Sequence, residues 1–71
     1  MKEKWWHIYL TDGTDETFFA SIRWTDTMLT VYEYDFKDYI EYNINERENP
    51  NKPIRLIFYP LHNIRSYWAD A

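Results

Sequence analysis

Apolar side chains recur at every second position in two stretches near the start of the chain, and no other feature constrains the fold as much. Between Lys4 and Thr11, Trp6, Ile8 and Leu10 fall on one side and Trp5, His7 and Tyr9 on the other. Between Glu16 and Thr25, Phe18, Ala20, Ile22 and Trp24 stand opposite Thr17, Phe19, Ser21 and Arg23. Successive side chains of an extended strand point to opposite faces, so each stretch reads as a half-buried strand. Asp12-Gly13 separates them and holds the only glycine of the chain, placed where a tight turn needs a positive φ. The two strands and this turn make a hairpin.

The pattern continues beyond it. Thr25-Asp26 supplies a second turn, and Thr27 to Phe36, rich in Thr, Val, Tyr and Phe, reads as a third strand. Asn45 to Pro53 is polar, carries two prolines and reads as a loop. Ile54 to Tyr59 is an apolar strand. Pro60 has no amide to donate to a ladder, so Pro60-Leu61-His62-Asn63 reads as a turn or a single turn of 3₁₀ helix before a last strand, Ile64 to Trp68. Asp35 to Arg47 fits two patterns. As a helix it places Phe36, Tyr39, Ile40 and Ile44 on one face behind an Asp35 cap. As a hairpin, a loop at Lys37-Asp38-Tyr39 pairs Phe36 with Ile40 and Tyr34 with Tyr42. The expected core is Ile8, Leu10, Phe18, Ala20, Ile22, Leu29, Val31, Leu56, Phe58 and Ile64.

These elements make one mostly β domain over residues 1–71, an all-β barrel of five to six strands with room for a short helix in 35–47. The order resembles that of small SH3-like and Sm-like barrels, in which a tight turn separates the fourth and fifth strands. Ile8-Tyr9-Leu10-Thr11-Asp12-Gly13 looks like the first Sm-like strand and turn, and Ile57 to Arg65 looks like the closing segment. The RNA-reading residues of that family do not carry over. Leu29 or Thr30 stands where an Asn is expected after Asp26, and Tyr59-Pro60 replaces the Arg-Gly pair.

Size and composition narrow the function. A domain this short buries only about 60% of its unfolded surface. The chain has no cysteine, hence no disulfide to compensate, and its four tryptophans, seven tyrosines and four phenylalanines are more than so small a core can hide. Aromatic side chains left at the surface suit an interface, either with a partner protein or between copies in a homo-oligomer. No secretory leader and no apolar stretch of membrane-spanning length is present, which together with the absent cysteine points to a cytoplasmic protein without a membrane partner. The frequent Asn, Lys, Ile and Tyr suggest an A+T-rich genome, such as that of a low-GC bacterium or its phages.

Catalytic signatures are missing. Ser21 and Ser66 lie in no nucleophile elbow, a lone glycine cannot build a phosphate loop, and His7 and His62 lack the spacing of metal ligands. The expectation is therefore a non-enzyme without metal or cofactor. From Asp26 to Glu48 seven acidic residues face only Lys37 and Arg47, within a chain of net charge −4. Glu33, Tyr34, Asp35, Glu41 and Tyr42 then form an acidic, Tyr-rich face that would bind another protein, as an inhibitor or adaptor does, by imitating phosphate. On that expectation, reversing the charge of Glu33, Asp35 and Glu41 leaves stability nearly unchanged. The alternative is an oligomeric binder of single-stranded nucleic acid or nucleotide, with Arg55, Tyr59, Arg65 and Tyr67 as the stacking and phosphate-contacting group.

Overall fold

The computed structural model describes residues 3–37 and 52–70. Five strands are present: β1 (Lys4–Leu10), β2 (Asp15–Trp24), β3 (Met28–Glu33), β4 (Arg55–Pro60) and β5 (Ile64–Ala69), with a 3₁₀ turn at Leu61–Asn63 between the last two. Phe36 and Lys37 have helical backbone, while the choice between helix and hairpin for the rest of 35–47, and with it any sixth strand, lies outside the described residues. All five strands form one antiparallel sheet in the order β4-β3-β2-β1-β5.

The first turn follows from local chemistry. Asp12 Oδ1 accepts the amide of Thr14 at 2.8 Å, Gly13 takes φ +92°, and its own amide donates to the Leu10 carbonyl at 3.0 Å. Hydrogen bonds from the Thr14 side chain and then its backbone hold the Asp12 carboxyl below its usual value. A Cβ at position 13 meets no atom within 4 Å, so the demand there is for backbone conformation and not for space. Gly13→Ala is expected to cost about 1 kcal/mol, seen as a lowered denaturant midpoint with unchanged slope.

Register fixes which face is buried. Ile8, Phe18, Ala20, Leu29 and Val31 form the core, with Trp6, Leu10, Ile22, Ile57, Tyr59, Leu61 and Ile64 packed around them. Eight of the ten expected core residues lie in this set. Leu56 and Phe58 do not: they are 47% and 60% exposed, and Ile57 and Tyr59 point inward in their place. The β4 phase is thus one residue away from the expectation, because Leu29 pairs with Tyr59 and Val31 with Ile57, and directly opposed residues share a face.

The sheet is strongly curled. In a flat five-stranded sheet the outer strands would lie about 19 Å apart, yet β4 and β5 are joined by three residues that span at most about 14 Å from Pro60 to Ile64. That linker is tied to both flanks, Leu61 donating to the Thr27 carbonyl and Asn63 accepting from the Thr11 amide, each at 2.9 Å. Curling also explains the meeting of Trp24 and Tyr67. Glu16 and Tyr67 both oppose Ile8, so along a straight strand Trp24 would lie about 27 Å past that level. Its ring is instead 6.2 Å from Tyr67, which also packs 6.2 Å from Trp6. Away from the 3₁₀ turn no ladder joins β4 to β5, and the sheet stays open along that seam.

Candidate protein-binding edge

Among the described residues β4 is an edge strand, with β3 as its sheet neighbour. Its even-numbered side chains share the outer face with Tyr32, opposite Leu56, and Thr30, opposite Phe58. Ile54 just before the strand is 63% exposed, so Ile54, Leu56 and Phe58 make an apolar stripe beside a β4 edge that no described strand pairs. Sheet edges in natural proteins are ordinarily blunted by charge, proline or a bulge. Along β4 such devices stand only at the two ends, Arg55 at the start and Pro60 at the finish, and leave Leu56 to Tyr59 between them without one.

The opposite edge is protected. β5 carries a register shift against Tyr9 and Leu10, and its outer side holds Arg65, whose guanidinium lies 5.6 Å over the Tyr9 ring. Near its end His7 Nε2 meets Asp70 Oδ1 at 2.9 Å, and His7 stacks on Trp68 at 5.2 Å with 15° between the rings. With Nε2–H donating to the carboxylate, Nδ1 is left to accept from the Thr17 hydroxyl at 3.2 Å. This chain contains the atom types of a nucleophile, a base and its orienting acid, but all three lie on the open outer face, where water competes for every contact. Its physical effect is to pin β5 to β1. Among the described residues no cluster of three or more His, Cys, Asp or Glu could hold a metal ion.

The acidic, Tyr-rich face divides. Glu33 lies on the inner side, and Oε1 accepts from Nε and NH2 of Arg55, each at 2.8 Å. The same guanidinium sits 5.8 Å over the buried ring of Phe18, so the pair closes one end of the core. Only 19% of the Glu33 side chain is exposed, which overturns the expectation that its charge can be reversed without cost. Glu33→Lys is expected to lower stability by about 1–2 kcal/mol, a figure discounted for the solvent around Arg55, and Arg55→Glu in the same chain should recover part of it. Paired melting curves of the single and double variants check this. Tyr34 donates its amide to the Phe19 carbonyl at 2.9 Å, Asp35 is exposed, and Glu41 and Tyr42 lie outside the described residues.

The arginine and tyrosine group also disperses. Arg55 is engaged by Glu33, Arg65 lies over Tyr9, Tyr67 joins Trp6 and Trp24, and Tyr59 packs against the core. Burial, followed by the nearby Glu16 carboxylate, pushes the Tyr59 hydroxyl above its usual value. Sequence reasoning missed the β4 stripe and the His7, Thr17, Trp68 and Asp70 contacts. Hydropathy gave no signal for the first, since both phases of β4 are apolar, and none existed for the second, whose members lie up to 63 positions apart.

No family model, curated protein or solved structure matches the chain. No helix among the described residues is long and apolar enough to cross a membrane.

Proposed function

We propose that this protein is a non-catalytic interaction module, of the inhibitor or adaptor kind, whose protein-binding surface is the β4 edge and its outer face. The observation that carries this reading is a β4 edge that no described strand pairs, with Ile54, Leu56 and Phe58 exposed on it, since exposed apolar side chains beside unpaired main chain are what strand addition requires. The strand order and the three-residue link between β4 and β5 support a small barrel of SH3-like or Sm-like kind as the framework. Asp35 lies at the same end as Ile54, whose amide donates to the Glu33 carbonyl at 2.7 Å, and it adds an acidic residue at that end of the edge.

The test is a charge placed in the stripe. Phe58→Lys is expected to abolish capture of partners from host lysate while changing the melting temperature by no more than a few degrees, because the wild-type ring is mostly solvated. Arg65→Ala is expected to leave capture intact. Loss of capture with Arg65→Ala and retention with Phe58→Lys reverses the assignment in favour of the nucleotide-binding surface.

A further inference from the structure

We propose that β4 pairs with β4 of a second copy of this chain, in a two-fold antiparallel dimer centred on Ile57; this rests on the edge assignment just made and names its occupant. Main-chain direction supplies the first argument. Along β3 the backbone groups alternate in the side they face: Tyr34 just past its end donates to Phe19 of β2, whereas Thr27 just before its start accepts from Leu61 on the β4 side. Odd-numbered residues of β3 therefore bond to β4, and odd-numbered residues of β4 return those bonds. The even-numbered Leu56 and Phe58 aim both N–H and C=O outward.

Two-fold pairing of a strand with itself allows few registers, and two of the three that use these groups fail. Centring on Leu56 requires the outward amide of Ile54, which is committed to Glu33 at 2.7 Å. Centring on Phe58 opposes Leu56 to Pro60, which has no N–H to give. Centring on Ile57 opposes Leu56 to Phe58 of the second copy, and the reverse, so each pair exchanges two main-chain bonds using only groups that face outward. The same register gathers Leu56 and Phe58 of both copies into one apolar cluster on the outer face.

Charge and edge protection choose the occupant. The chain carries net charge −4, yet the stripe is uncharged and the Arg55 charge is answered by Glu33, so among the described residues of the paired strands no like charges are opposed. Pairing β4 with β5 of a neighbouring copy is opposed by the register shift in β5, by its Arg65 and by Asp70 just past its end. A self-complementary patch gives a closed dimer and not an open filament.

The experiment measures mass by sedimentation equilibrium across a dilution series and follows amide hydrogen exchange on the same samples. The expected result is a monomer–dimer equilibrium in which the Leu56 and Phe58 amides gain protection with concentration while those of Tyr67 and Ala69 do not. Leu56→Pro, which deletes an amide that the monomer does not use, and Phe58→Lys should each weaken the dimer by about a hundredfold. Either variant suffices if the other misfolds. Masses beyond the dimer with protection at Tyr67 and Ala69 overturn the proposal. So does a monomer at every concentration; in that case capture of a foreign protein that is still blocked by Phe58→Lys shows the edge assignment standing without the dimer.

Discussion

Leu29→Ala is expected to lower the melting temperature by about 12–24 °C. Leu29 is fully buried in β3, between Trp24 on one flank and Tyr59 on the other, and touches a core with few members to rearrange. Removing a buried leucine costs about 2–5 kcal/mol because the transfer term and the residual cavity add. A domain of this length has roughly 4–10 kcal/mol of stability in total, and each kcal/mol moves the midpoint of a chain this small by about 4–8 °C. A central value of about 3 kcal/mol therefore removes a large part of the margin. Thermal unfolding followed by near-ultraviolet absorbance gives the number, and a drop of only a few degrees would place Leu29 outside the core.

The second large effect concerns the face usually thought of as outside. Phe19 points away from the main core, yet it is only 7% exposed, because Trp5 lies 5.5 Å and Phe36 4.9 Å from its ring. Trp5 and Phe36 are themselves 5.2 Å apart, and the three rings make a second apolar centre at one end of the sheet. Phe19→Ala is expected to cost about 3–5 kcal/mol, with a change in Trp5 emission as its ring loses its neighbour. Phe58→Ala, the same substitution on the same face, is expected to cost less than about 0.5 kcal/mol in dilute solution. Equal costs at the two positions would mean that the outer face is covered evenly, against the exposures described here.

That contrast shows where the sequence could be read and where it could not. β1 and β2 alternate cleanly, so Ile8, Phe18, Ala20 and Ile22 were legible as core from local pattern alone. β4 reads Arg-Leu-Ile-Phe-Tyr-Pro, with large apolar groups in both phases, and hydropathy favours the wrong one. Register resolves it: the buried Leu29 and Val31 stand opposite Tyr59 and Ile57, which puts those two on the inner face and leaves Leu56 and Phe58 on the outer one. Glu33 shows the opposite case. Its charge reads as part of an acidic surface until Arg55, more than twenty positions away, is brought opposite by the β3–β4 register. Phe19 likewise depends on a cover, Phe36, that strand alternation does not announce.

The pairing of β1 with β5 has a mechanical consequence. Lys4 and Ala69 lie at the same end of neighbouring antiparallel strands, where Asp70 donates to the Trp5 carbonyl at 3.0 Å. Tension applied between those two ends peels the ladder open one bonded pair at a time instead of loading all its hydrogen bonds together. The first links to bear the force are the backbone bond from the Asp70 amide to Trp5 and the side chains of His7, Trp68 and Asp70 beside it, so the fold meets a pull at its rim and gives way from there inward.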